Sequence, residues 1–318
     1  FIAPPPPKEV SFASGSTGGA YAQTALEYQA FFAEEDVTLN VVNTTGSGDN
    51  LDLLRTGNVQ AAIVQGGATL PEDENELQSL GTVFYEPLWV FFRDGADVMN
   101  IDDLDLRNFS NMRIAAGSET SGTRLLADRM LAENEVDATL VPLSGEAGAQ
   151  ALLAGEVDVL MAVSGPSAPF VSQLLADPDI AVLSFPRALA YERRTPYLKR
   201  VIFPEGGLDL ADNLPSDPIE LIAPVAEIIV REDLHPAIQA LLIEAMVDQH
   251  RGGTLLSEPG VFPSPNRTNL PLSEEAARYY EKGPSFLRSM FPFGVANFLE
   301  RAWVLAIPLL TLVFPLVK

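Results

Sequence analysis

Two stretches of this chain repeat one another. Leu53-Leu54-Arg55-Thr56-Gly57-Asn58-Val59 precedes Ala61-Ala62-Ile63-Val64-Gln65, and Leu152-Leu153-Ala154-Gly155-Glu156-Val157 precedes Val159-Leu160-Met161-Ala162-Val163. Each reads as a helix end, a glycine stop, an acidic or amide residue, and a buried strand. A continuous apolar strand suits a parallel sheet covered on both faces. The order upstream is shared as well. Val10 and Phe12 mark a strand, Gly15 to Gly19 a loop, and Tyr21, Ala25, Tyr28 and Phe32 recur at helical spacing. A strand at Val37, Leu39 and Val41 and the polar loop Thr44 to Asn50 follow. Further on, Ile114 to Ala116 is a strand, Gly117 to Thr123 a loop, and Leu125, Leu126 and Met130 lie on a helix. A strand at Leu140-Val141 and the loop Ser144 to Gly148 then lead into another helix. Two whole units in the same order predict an α/β protein with two similar lobes.

The first lobe is expected over 9–93 and the second over 94–203. Tyr85 to Arg93 reads as a strand crossing between them. The chain is expected to return to the first lobe after Phe203, near Gly206-Gly207, so that 204–283 completes it with helices around Pro236 to Gln249 and Ser273 to Lys282. Gly283-Pro284 breaks the pattern. Residues 1–8 hold Pro4 to Pro7, a stiff run suited to a linker. Residues 284–318 end in an apolar run in which Thr311 is the only polar residue between Ala302 and Val317. That run is slightly shorter than the roughly 20 residues of a full span and carries Pro308 and Pro315. A buried segment would account for it. The flanking Phe291, Phe293, Phe298 and Trp303, with Arg288 and Arg301, favour a membrane-proximal and transmembrane segment in contact with lipid.

Composition removes several classes. The formal net charge is −23, and no dense basic run is present, so a nucleic-acid partner is set aside. The chain has no cysteine and two histidines, His235 and His250, far from any metal-like cluster. Gly15 to Gly19 lacks the Gly-Lys-Ser/Thr ending of a phosphate-binding loop, and its spacing is not that of a dinucleotide fingerprint. No base–nucleophile pair or Gly-x-Ser-x-Gly elbow is visible, which argues against an enzyme.

What remains is three Gly/Ser/Thr loops, each between a strand and a helix start. In an open parallel sheet such loops meet at the carboxyl edge. Each helix start offers unpaired N–H groups and the positive end of a dipole. Any one loop alone could be an ordinary cap. Three of them in two matched lobes make an anion site, with a carboxylate as the expected ligand and no metal or cofactor required. Glu86 and Arg93, beside the crossing strand, could touch ligand or form a hinge ion pair. Arg124 stands in a helix first turn, where the dipole disfavours a cation; an anionic ligand would compensate, and a solvent-facing arginine is the alternative.

Five motifs appear in order: Gly15-Ser16-Thr17-Gly18-Gly19-Ala20-Tyr21, Thr45-Gly46-Ser47-Gly48-Asp49-Asn50-Leu51, Val64-Gln65, Tyr85-Glu86-Pro87-Leu88, and Gly117 to Arg124. Together they resemble the TAXI family, the solute-binding subunits of tripartite ATP-independent periplasmic (TRAP) transporters. The resemblance runs from about Glu9 to about Phe203 and weakens beyond. It implies a two-lobe, type II periplasmic binding-protein fold with a hinge. It implies small carboxylate ligands such as glutamate, 2-oxoglutarate or C4-dicarboxylates, handed to a separate TRAP-type membrane permease. By position, Thr17, Gly18, Gly19, Gly46, Ser47, Asn50 and Gln65 would line the first lobe, and Ser121, Gly122, Thr123 and Arg124 would close from the second. Ser16, Thr45 and Ser118 from the same loops, Glu86 at the crossing, and Ser164 and Gly165 after the last repeated strand complete the candidate set. Family members typically end near the last helix of the binding fold; this chain continues, and is similar to a membrane-tethered branch held at the periplasmic face of the inner membrane. Transport is one expected function. A tethered domain that senses a ligand and signals is the other.

Overall fold

A computed structural model describes residues 4–93, 104–288, 290–299 and Ala302. The first lobe opens with strand β1 (Glu9–Ala13), helix α1 (Ala20–Glu34), β2 (Thr38–Val42), α2 (Ser47–Arg55) and β3 (Ala61–Gln65). Strand β1 pairs in parallel with β2 on one side and β3 on the other. The second lobe repeats this with β6 (Arg113–Ala115), α3 (Gly122–Glu133), β7 (Thr139–Val141), α4 (Gly145–Ala154) and β8 (Val159–Val163), where β6 pairs in parallel with β7 and β8. The repeat read from sequence is therefore a repeat of structure. Gly57 after α2 and Gly155 after α4 both adopt φ of 72°, a left-handed turn open to glycine at little cost. Val59 and Val157 follow, each 1% exposed.

An antiparallel strand closes each parallel trio. In the second lobe it is β5 (Leu88–Arg93) against β8. In the first it is the end of β11 (Ile219–Arg231) against β3, with β4 (Leu77–Tyr85) on the other edge of β11. Two short strands, β9 (Ile180–Val182) and β10 (Leu198–Phe203), extend the second-lobe sheet, and α5 (Pro169–Ala176) and α6 (Ala188–Arg194) pack beside them. Helices α7 (Pro236–His250) and α8 (Glu274–Lys282) cover the first lobe.

The crossings differ in kind. The first is the β4–β5 junction at Glu86-Pro87, so that Leu88–Arg93, expected to close the first lobe, pairs within the second. The second lies later than Phe203. Strand β10 and the first half of β11 belong to the second lobe, pairing from Leu198↔Pro224 to Phe203↔Ile219. From Val225 onward β11 pairs with first-lobe strands instead. One unbroken strand thus serves both lobes, because apolar side chains on both faces bury it along almost its whole length.

The expectation for 284–318 divides in two. Residues 303–318 lie outside the described residues, and among the described residues no helix is long and apolar enough to cross a membrane. The described part, however, is built onto the first lobe past the Gly283-Pro284 break. Phe293 is only 5% exposed and joins the first-lobe core, so it is not an interface aromatic. Arg288 ion-pairs with Glu35 at the end of α1 at 3.0 Å and with Glu244 of α7. Its guanidinium also sits 5.6 Å from the Phe293 ring, and the Phe293 N–H donates to Glu35 at 2.8 Å. The half-buried guanidinium neutralises two carboxylates that would otherwise repel one another. Arg288→Ala leaves both unpaired, and we expect a loss of about 3 kcal/mol in urea unfolding; a loss under about 0.5 kcal/mol would show that the contact adds nothing to the fold.

Candidate functional site

The loops leaving β1, β2, β3 and β6 meet where the lobes face each other, and the two lobes touch there directly. The Gly48 N–H donates to the Thr120 carbonyl at 3.2 Å, and the Thr45 and Thr120 hydroxyls are 3.0 Å apart. The Gln65 amide donates to the Gly122 carbonyl at 2.9 Å. This approach requires glycine: a Cβ on Gly122 would stand 2.4 Å from Gln65 Oε1, and one on Gly48 2.8 Å from the Thr120 carbonyl. Thus Thr45, Gln65 and Gly122, all named from sequence, are brought together.

Other named residues shape the loops. Asn50 is fully buried; its amide donates to the carbonyls of Ser14 and, at 2.7 Å, Ile63, while its Oδ1 accepts from Thr44 at 2.6 Å. Its hydrogen-bonding capacity is committed to holding the loop after β2. Ser47 Oγ accepts the Gln65 N–H at 2.9 Å, which ties the start of α2 to the end of β3. Ser121 caps α3 by accepting from the Arg124 N–H at 3.2 Å, and it donates to the Ser118 carbonyl at 2.8 Å. Thr123 Oγ1 accepts the Val163 N–H at 3.1 Å, and the Ser164 carbonyl, just before Gly165, accepts from Trp89 Nε1 at 3.0 Å. Arg124 pairs with Asp128 at 3.0 Å one turn along α3.

The loop before α1 is more open. Ser16, Thr17 and Gly18 are exposed, and Gly19, the residue before α1, gives the helix no side-chain cap. Helix α2 likewise starts after Gly46 with no side-chain cap. Neither helix start therefore has a side-chain cap, but in the first turn of α2 the Gly48 N–H is taken by the Thr120 carbonyl and Asp49 stands beside it.

Glu86 and Arg93 do not pair. Arg93 reaches the carbonyls of Leu152 and Leu153 at the end of α4, at 3.5 and 3.4 Å. Glu86 turns inward at the hinge. Its N–H donates to the Pro224 carbonyl at 2.9 Å, the point where β11 changes lobes. Its side chain is buried, and Tyr21 Oη donates to Oε2 at 2.5 Å. Tyr21 belongs to the first turn of α1. Hydrogen bonds thus join Glu86 to the start of α1 through Tyr21, and the start of α2 to Gly122 in the opposite lobe through Ser47 and Gln65. Tyr21 lies in the first of the five motifs but outside the candidate set. The 65 residues that separate it from Glu86 leave no local signal of their contact.

No cation stands beside Glu86 among the described residues. Burial pushes its pKa up to about 8, and the Tyr21 hydrogen bond only partly opposes this. Burial and the neighbouring Glu86 hold the Tyr21 phenol protonated. Because the folded carboxyl binds its proton more tightly than the unfolded one, this group favours folding fully below about pH 4.5, and that contribution is lost as pH rises through about 8. Glu86→Gln removes the slope. We expect the variant to gain about 4 kcal/mol on the parent chain between pH 5 and pH 8.5 in denaturant unfolding; parallel curves would mean that Glu86 is not held protonated.

A shallow depression of about 280 Å³ lies elsewhere, on the second lobe between α6 and β10. Lys199, Arg200 and Glu192 on its wall are already paired among themselves or with Glu220 and Arg267, so it offers no comparable chemistry.

One solved structure shares this fold, and two others are similar to the chain at lower scores. A protein from Bordetella bronchiseptica RB50 is 16% identical, with 76% of this chain and 70% of that chain covered at a TM-score of 0.53. An ancestral arginine-binding protein bound to arginine is 12% identical over 78% of this chain and 95% of its own, with a TM-score of 0.48. The periplasmic aliphatic sulphonate binding protein SsuA from Escherichia coli is 13% identical over 76% and 73%, with a TM-score of 0.45. No curated protein matches the sequence. A family model does, over residues 12–283, from the first strand through the last helix of the two-lobe body. With two matched α/β lobes, two crossings and loops that meet between them, the chain belongs to the NMT1-like family and carries its periplasmic solute-binding fold.

Proposed function

We propose that this protein is an extracytoplasmic clamp that captures a small carboxylate and delivers it to a TRAP-type permease, as the TAXI-like motifs imply. The observation that carries the reading is the direct meeting of the β2, β3 and β6 loops of opposite lobes at Thr45–Thr120 and Gln65–Gly122. A molecule held between such loops contacts both lobes and so favours the shut state over the open one. The uncapped starts of α1 and α2 supply donors and positive dipole ends for its carboxylate. Arg124, in the first turn of α3, supplies the matching cation from the second lobe. The apolar run at Ala302 to Val317 would tether the clamp to the inner membrane, and the Arg288 contacts would fix the first lobe to that tether. The second lobe would then be the part that swings.

The test is a thermal-shift screen of the chain against carboxylates, amino acids and sugars, repeated with Arg124→Ala. Ligand that binds only the folded state raises Tm by mass action. We expect a carboxylate to raise Tm, and the variant to keep its fold while binding that compound at least roughly tenfold more weakly. Stabilisation by sugars alone, or unchanged affinity in folded Arg124→Ala, would contradict the assignment.

A further inference from the structure

The carboxylate reading leaves one group unexplained. Glu86 is 6% exposed, lies at the hinge between the two crossings, and has Tyr21 as the one side-chain partner of its carboxyl among the described residues. Its second oxygen, Oε1, has no hydrogen-bond partner among the described residues. A buried carboxyl with no cation carries a large cost when ionised. A structural role in the hinge would be served as well by glutamine, which has the same shape and no such cost. The position of the group is also specific. Tyr21 and Ser47 stand in the first turns of α1 and α2, the two helices whose starts lack side-chain caps, and Ser47 carries Gln65 towards Gly122. An acceptor of negative character therefore lies within one or two side chains of donors that favour negative charge.

We infer that Glu86 receives a protonated amine of the ligand, so that the site selects an α-amino acid, with its carboxylate on the helix starts and its ammonium on Glu86 Oε1, over the corresponding 2-oxo acid or plain dicarboxylate. This rests on the clamp reading above and narrows it. The two ligand charges then meet opposite partners a short distance apart. A 2-oxo acid would put a carbonyl oxygen, an acceptor only, where an N–H is required. When the amine docks, Glu86 gives up its proton to the buffer and the ammonium N–H takes its place on the carboxylate. Nothing else changes hands.

Matched pairs that differ only at this group provide the test: L-glutamate against 2-oxoglutarate, L-alanine against pyruvate, and L-leucine against 4-methyl-2-oxopentanoate. Each is titrated by calorimetry at pH 7 into the full chain and into Glu86→Gln, in phosphate and in Tris. We expect the amino member of at least one pair to bind roughly tenfold or more tightly than its oxo partner. The preference should collapse in Glu86→Gln. Binding to the parent chain should release a proton, read as an enthalpy that differs between the two buffers. Equal or tighter binding of the oxo acid, or an amine preference that survives in Glu86→Gln, overturns the inference and leaves the clamp standing. Binding of no member of any pair overturns the carboxylate clamp, and this inference with it. If the variant does not fold, the parent chain decides alone: proton release with the amino member supports the inference, and its absence refutes it.

Discussion

Strand β11 runs thirteen residues without a break, and its two halves belong to different sheets. That one continuous strand sets the lobes side by side, with Pro224 and the nearby Glu86-Pro87 turn at the boundary between them. Everything functional in the molecule sits relative to this boundary. The loops that face each other are those at the carboxyl ends of the parallel strands, and the hinge lies at their base. Glu86 ties the two crossings together through Pro224, and its side chain leads into the cleft through Tyr21. Motion at the hinge and occupancy of the cleft are therefore mechanically adjacent.

Electrostatics sharpen the picture. A chain of net charge −23 repels an organic anion in bulk. Capture must then depend on local donors. On the proposed reading the starts of α1 and α2 would provide them together with Arg124, and the dipole contribution is strongest within the first turn. A ligand that also carries a positive charge would suffer less from the bulk repulsion.

Much of this was legible in the sequence because it is local. The repeat ending at Gly57 and Gly155 encodes a left-handed stop followed by a buried strand, and both copies fold that way. The glycine loops could be placed between strands and helices for the same reason. What the sequence concealed is long-range. The return crossing falls at Pro224 and not after Phe203, because β10 and β11 form a second-lobe hairpin-like pair that no spacing announces. Asn50 and Ser47 look like ligand groups by type, yet they spend their hydrogen bonds on the loop and on Gln65. The Glu86–Tyr21 contact, and the hold of Arg288 on Glu35 across 253 residues, join segments whose proximity only the fold creates. For the same reason the residues past Gly283 read as separate from the globular body when their first part is docked on it.

The claim on which the account turns is that the lobes move as a clamp. The chain has no cysteine, so a pair can be introduced without background. Asn58 and Glu156 are exposed, equivalent positions in the repeat, each at the end of its strand away from the cleft. Spin labels at Asn58→Cys and Glu156→Cys report the distance between the lobes by double electron–electron resonance. The account predicts a distribution that shifts towards a single, ligand-dependent population as amino-acid ligand is titrated. A distribution that is already single and stays fixed at saturating ligand would contradict it.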